Sequence, residues 1–401
     1  DPIAFDVTDR DFLAAYFEVL HRDLERQGVD FWWLDWQSGP HSRIAGVDPL
    51  WMLNHFHFLD SVRAGAGLTF SRYAGPGSHR YPIGFSGDAV ISWASLAFQP
   101  EFTATAANIG FGWWSHDIGG HMFGAKDDEL TARWVQFGTF SPIMRLHSGS
   151  NPFIHKEPWT LEPATRAVMT SYLRLRHRLV PYLHTMNHAA AQGTPLVRPM
   201  YWAHPERDEA YRVPGQYLFG TELIVAPIVA PADPVSRLGS TTAWLPPGDW
   251  TDIRTGRRYA GDRQLVLHRD LADIPVLARA GAIVPLDAAE VPGNDPVDPD
   301  ALEVLVVPGA DGDFDLIEDD GCGAVVITPL RWHDASRTLT IGPAAGAVGV
   351  LPPRRSWSAT IPGGPPGPVV TAAPADRATV TPGPAPELDP GAELFRRLDL
   401  A

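Results

Sequence analysis

Apolar positions recur at helical spacing near the start of the chain. Phe12, Leu13, Tyr16, Phe17, Leu20 and Leu24 fall on one face, Asp9 stands where an N-cap belongs, and Gly28 closes the run. Residues 9–27 are therefore predicted to be helical. A short apolar run, 29–34, follows as a buried strand. The alternation continues with a helix at 54–63, strands at 68–70 and 81–85, a helix at 93–107 and a strand at 111–114. A helix at 127–138, a strand at 140–146 and a long helical stretch, 162–192, broken near Pro181, complete the series. Strands alternating with helices predict a parallel sheet with helices outside it. A polar residue stands just after nearly every strand: Asp35, Arg72, Asp88, Asp117 and His147. Both a (β/α)8 barrel and an open doubly wound sheet bind ligands at that edge. No Gly-rich dinucleotide or phosphate fingerprint supports the open sheet.

From about residue 215 the pattern changes to short apolar runs separated by Gly, Pro and Asp, the mark of an all-β region. The expected division is 1–212 for the α/β part, 213–300 for a first β-sandwich domain and 301–401 for a second β domain. Residues 352–388 are rich in Pro and Gly and are expected to be strand and loop at a domain edge, or partly disordered.

Composition narrows the function. The 401 residues carry a net charge of −15, from 32 basic and 47 acidic side chains. The basic footprint of a nucleic-acid binder is missing, and no apolar run approaches the ~20 residues of a membrane span. The lone Cys322 allows no intrachain disulfide and suggests no cysteine metal site. The chain begins at Asp1, without Met, so the lack of a visible leader leaves cytoplasmic and secreted locations equally open. Oligomeric state is not legible.

Two carboxylates carry the sharpest chemical signal. Asp35 closes Phe31-Trp32-Trp33-Leu34, and Asp88 closes Tyr81-Pro82-Ile83-Gly84-Phe85-Ser86-Gly87. An Asp alone is common in turns. Two at neighbouring strand ends are what glycoside cleavage needs: one to attack the anomeric carbon or activate water, one to protonate the leaving oxygen. Arg72 could hold a carboxylate or bind sugar hydroxyls. Among the 14 Trp, Trp33 and Trp114 are candidates for an aromatic pocket wall, although a strand Trp is as often core. Arg145 is assigned first to structure. His116, His121 and His147 fit no compact ligand motif, so no metal or other cofactor is expected.

These motifs resemble the α-glucosidase-like enzymes of glycoside hydrolase family 31. The likeness rests on Phe31 to Gln37, Ser71-Arg72, Gly87-Asp88, Trp114-Ser115-His116-Asp117-Ile118-Gly119-Gly120 and Ser141-Pro142-Ile143-Met144-Arg145-Leu146-His147. It continues through Arg176 to Tyr182, Ile274 to Pro285 and Asp315 to Gly321, in that order. The resemblance implies the C-terminal part of a (β/α)8 barrel, about five strands, followed by one or two all-β domains. It implies a retaining mechanism on α-linked sugars, with Asp35 as nucleophile and Asp88 as acid/base, their carboxyl groups roughly 5–5.5 Å apart. Arg72, Asp117, His147, Trp33, Phe85 and Trp114 become sugar-binding candidates. Asp88 must start protonated, which apolar neighbours such as Phe85 or the charge of Asp35 would favour.

The Trp-Leu-Asp-Trp-Gln sequence resembles a bacterial subgroup. Phe85 stands where many members have Trp. In the family, a β-sandwich and three barrel strands precede the segment matching Asp1, so the chain is expected to be a fragment of a longer enzyme, poorly stable or inactive alone. The substrate implied is an oligosaccharide or glycoside, first an α-glucoside. Alternatives are α-xylosidase, α-galactosidase, α-N-acetylgalactosaminidase or transglycosidase action. A catalytically silent carbohydrate-binding protein and a metal-dependent hydrolase are readings from other classes.

Overall fold

A computed structural model of the chain describes residues 4–35, 38–63, 65, 67–72, 75–291, 293, 298–386 and 398–399. Trp36 and Gln37, part of the subgroup motif, lie outside the described residues.

The first helical stretch is α1 (Arg10–Ala15) and α2 (Arg22–Arg26), joined by a π-helical segment, Tyr16–His21. Asp9 caps it, its side chain accepting from the Asp11 and Phe12 amides. Only Phe17 and His21 of this stretch are buried; Leu20 and Leu24, expected on the inner face, are exposed. The strand β1 (Trp32–Leu34) follows, then α3 (Pro49–Val62), β2 (Thr69–Arg72), β3 (Gly84–Phe85), β4 (Val90–Ile91), α4 (Trp93–Ala106), β5 (Trp114–Ser115) and β6 (Met122–Gly124). The helices α5 (Asp128–Thr139), α6 (Pro163–Arg178) and α7 (Val180–Ala191) end the α/β part. Helix α3 starts five residues before its expected position because Asp48 caps it and Pro49 opens it. The long stretch breaks at Leu179, and Pro181 sits in the first turn of α7, where its missing N–H costs nothing.

Strands β1, β2, β3 and β5 pair in parallel and in chain order. That sequential order is the winding of a barrel; a doubly wound sheet reverses it at a switch point. A single parallel bridge, Ile118 to Leu146, continues the sheet. The expected strand at 140–146 is otherwise irregular. Pro142 interrupts it, and Arg176 takes the carbonyls of Thr139, Ser141 and Pro142 at 2.6–3.0 Å, so they join no ladder.

Side chains alternate between the two faces of this sheet with period two. Trp32 and Leu34 face outward, where Leu34 packs with Leu50 and Leu53. Trp33, Phe70 and Phe85 meet on the inner face, with ring centroids 5.0–5.7 Å apart. Gly84 is required because a Cβ there would meet Phe111 and Trp114 at 2.8–2.9 Å.

The rest of the chain is antiparallel for the most part. A six-stranded sheet runs Arg258–Ala260, Asp249–Asp252, Val276–Arg279, Leu223–Val225, Tyr217–Phe219, Val197–Pro199. Its first strand in sequence, Val197–Pro199, precedes the expected boundary at 213. Strand Ile283–Asp287 pairs with Ala301–Val306, across the expected boundary at 300. A five-stranded sheet holds Gly312–Asp319 and Val325–His333. Within the Pro/Gly-rich tail, Arg355–Thr360, Val370–Ala372 and Ala378–Val380 are strands. One apolar core runs through all of this, from Trp134 and Phe137 of α5 through Phe219 and Val276 to Val304 and Leu316.

Candidate active site

The C-terminal ends of β1, β2, β3 and β5 converge their inward side chains. Asp35 follows β1, Arg72 ends β2, Asp88 follows β3 and Asp117 follows β5. Arg72 Nε donates to Asp35 Oδ1 at 2.8 Å, and its Nη2 donates to Asp88 Oδ1 at 3.2 Å. One guanidinium thus touches both carboxylates. Gly87 permits this: its φ is +80°, and a Cβ would lie 2.6 Å from Arg72 Nη1. Burial disfavours the Arg72 cation, but the hydrogen bond and charges of Asp35 and Asp88 outweigh it and raise its pKa. Asp35, Asp88 and Arg72 are each about one-quarter to one-third exposed, so the group is open to a ligand.

Asp88 also faces His121, whose Nδ1 lies 3.0 Å from Oδ1. The contact is one of proximity, since the ring nitrogen does not meet hydrogen-bond geometry. Polar groups, Arg72 and His121, are therefore the partners of the Asp88 carboxyl; of the two influences expected on it, apolar neighbours or the charge of Asp35, Phe85 makes no contact that replaces these. Phe85 is 1% exposed and covered by Arg72 and Arg145, whose guanidinium carbons lie 5.3 and 5.5 Å from its ring centre. It supports the floor and does not line the pocket as expected.

Asp117 is fully buried. Its Oδ1 accepts from Arg145 Nη2 at 2.6 Å and its Oδ2 from the Ala89 amide at 3.0 Å, which ties the end of β5 to the loop carrying Asp88. Arg145 also donates to Ser115 Oγ and lies over Trp33 at 4.9 Å and Phe70 at 5.2 Å. The residue first assigned to structure is thus the link between the polar and aromatic halves of the site. His147 packs edge-on to Trp33 and beside His121, with centroids 5.2 and 4.3 Å apart. Burial lowers its pKa, keeping a neutral imidazole that can both donate and accept. Trp33 is 42% exposed and presents an aromatic face. Trp114 is 1% exposed and packs outward against Phe102 and Phe111. Its expected place in the pocket wall is corrected by the strand alternation: Ser115 faces in, so Trp114 faces the helices.

The sequence reading also missed Lys156. It is 4% exposed, its stem lies against Gly119, and its ammonium donates to the Ile154 carbonyl at 2.9 Å. Burial lowers its pKa to about 8, against the opposing pull of Asp117. A buried Lys amid loop residues carries no periodic signal.

The three histidines considered for metal do not assemble. His116 is buried away from the pocket, accepting from Trp134 Nε1 and bonding Ser141 Oγ. Asp117, His121 and His147 do place one donor atom each within 4.8 Å of one another. Both Asp117 oxygens are already engaged, which disfavours a cation there.

Two family profiles match the chain: "Glycosyl hydrolases family 31 TIM-barrel domain" over residues 2–186 and "Glycosyl hydrolase family 31 C-terminal domain" over 193–284. An α-xylosidase of Saccharolobus solfataricus is 31% identical over 293 residues, 70% of this chain and 39% of the relative. Alpha-glucosidase 2 of Bacillus thermoamyloliquefaciens is 27% identical over 249 residues, 61% of this chain and 30% of the relative. The crystal structure of a family 31 α-xylosidase from Xanthomonas citri superposes with a TM-score of 0.80 at 26% identity, covering 94% of this chain and 46% of that one. The chain spans less than half the length of these relatives.

Proposed function

This chain belongs to glycosyl hydrolase family 31, and on that premise we propose that it carries the catalytic carboxylates of a retaining α-glycosidase. The observation that carries the proposal is the contact of one guanidinium, Arg72, with both Asp35 and Asp88. It brings two carboxylates from β1 and β3, on either side of β2, to one open point, as a two-step displacement needs.

Asp35, oriented by its hydrogen bond from Arg72 Nε, attacks the anomeric carbon. Asp88 gives its proton to the leaving oxygen as the glycosidic bond breaks. The glycosyl ester on Asp35 no longer carries charge. Asp88, now a carboxylate, removes a proton from water, and the oxygen of that water displaces Asp35. His147 and His121 bind sugar hydroxyls, Asp117 shapes the subsite by holding Arg145 and the Ala89 amide, and Trp33 offers a ring face. The glycone is read first as glucose. Xylose is the second reading, favoured by the relatives named α-xylosidase.

The test is turnover of aryl α-glucoside, xyloside, galactoside and N-acetylgalactosaminide by the protein that carries this chain. Cleavage of one glycone that disappears in Asp35→Asn supports the reading and names the sugar. Binding without turnover across the panel would instead support a silent carbohydrate-binding protein.

A further inference from the structure

A second cluster of ligating side chains lies away from the carboxylates. His184 and His188 are one helical turn apart on α7, so their side chains share a face. Both Nε2 atoms approach the same oxygen, Asp319 Oδ2, at 3.1 and 2.7 Å. The three donor atoms lie within 4.8 Å of one another. Around a zinc-sized ion, with bonds of about 2.0–2.2 Å, tetrahedral donors sit about 3.3 Å apart, so small adjustments would admit one.

The frame around the three donors is fixed. Thr185, between the two histidines in sequence, accepts from the Ile317 amide at 3.1 Å and donates to the Ile317 carbonyl at 3.3 Å. This pins α7 to strand Gly312–Asp319 two residues before Asp319. The other carboxylate oxygen, Oδ1, accepts from the Gly321 amide at 2.8 Å, which orients Oδ2 toward the histidines. Supporting hydrogen bonds of this kind are what hold metal ligands in place. The side chains are 18–38% exposed, which leaves an entry path and room for water as a fourth ligand. Trp113, just before β5, donates to Asn187 of α7, so this helix borders the strand ends opposite those bearing the carboxylates. The cluster is thus set apart from the chemistry proposed above.

We propose that His184, His188 and Asp319 bind one divalent transition-metal ion of the zinc class, which staples α7 to the five-stranded sheet. The ion replaces the two imidazole–carboxylate contacts with three bonds to one centre, and its binding depends on neutral imidazoles.

The test is calorimetric titration of the chelator-treated protein that carries this chain with Zn2+. One equivalent should bind, with a rise in thermal midpoint. His188→Ala and Asp319→Asn should each weaken it on the order of 100-fold, since even supporting groups are worth 10–100-fold, while His147→Ala should bind as before. Circular dichroism checks that each variant is folded. Should one unfold, the Co2+ complex of the unsubstituted chain decides: intense visible bands of a four-coordinate ion support the site, and the weak bands of a six-coordinate ion overturn it. Absence of binding, or affinity unchanged in His188→Ala, also overturns it.

Discussion

Two adjacent residues, His116 and Asp117, belong to different regions of this molecule, and the contrast between those regions explains much of its design. Asp117 is the buried base of the strand-end face, where charged side chains are linked by Arg72 and Arg145 and where Asp35, Arg72 and Asp88 remain partly open. His116 belongs to the seam behind it, where α5 is buried from Leu130 to Thr139 and both His116 ring nitrogens are enclosed and hydrogen-bonded. The seam has cations too. Arg133 is fully buried and donates to the carbonyls of Asp270 and Asp273 and to Gln136 Oε1. Its charge is spent on fixed carbonyls, which holds the β region to the helix. The charge of Arg72 is placed between two carboxylates that a substrate can reach. In the function proposed above, the same residue type serves binding in one place and stability in the other because of what accepts its hydrogen bonds.

The comparison is broken most strongly at Asp35. Asp35→Asn should lower turnover by about 10⁴-fold or more, as loss of a nucleophile does elsewhere, while the thermal midpoint stays near its starting value. A large fall in the midpoint would move Asp35 to the structural class. Asp88→Ala should cost about 10²- to 10⁴-fold on substrates with poor leaving groups, the range of general acid catalysis. Activated aryl glycosides should lose less in their first step, and added azide should yield a glycosyl azide of retained configuration. Equal activity of Asp88→Ala and the unsubstituted protein on a disaccharide would remove Asp88 from the mechanism.

In the seam the expected effect is on stability. Arg133→Met should destabilise by about 3 kcal/mol, the scale of losing charged hydrogen bonds to buried acceptors, read as a shift in the urea midpoint. A neutral result would show that water replaces the guanidinium there. A pH dependence is the second expected effect on stability. Burial lowers the pKa of His116 and of His57 to about 3, from an ordinary value of 6.5. The unfolded chain therefore binds more protons below pH 6.5. The stability these neutral rings contribute is complete above that pH and is lost as pH falls toward 3. Each should remove about 1.4 kcal/mol per pH unit below the unfolded pKa. Stability that stays flat between pH 6.5 and 5 would contradict the burial of both.

The order of helices and strands could be read from hydrophobic spacing because each element buries one local face. Asp35, Asp88, Asp117 and His147 could be read because polar residues follow apolar runs. Side-chain direction was harder. Trp33 and Trp114 look alike in sequence, each at a short apolar strand. The pleat and the parallel register send Trp33 inward and Trp114 into the helices. Segment 140–146 has strand composition, but Arg176, more than 30 residues later, claims its carbonyls.

The sequence by itself determined the alternating α/β part, the β region, the family resemblance and the pair of carboxylates, since these rest on spacing within short stretches. The tertiary structure alone decided that Arg72 joins both carboxylates, that Arg145 ties Asp117 to the aromatic floor, and that His184 and His188 meet Asp319. Those contacts join residues 16 to 135 positions apart. Local periodicity holds no information on such pairs; packing and strand register supply it.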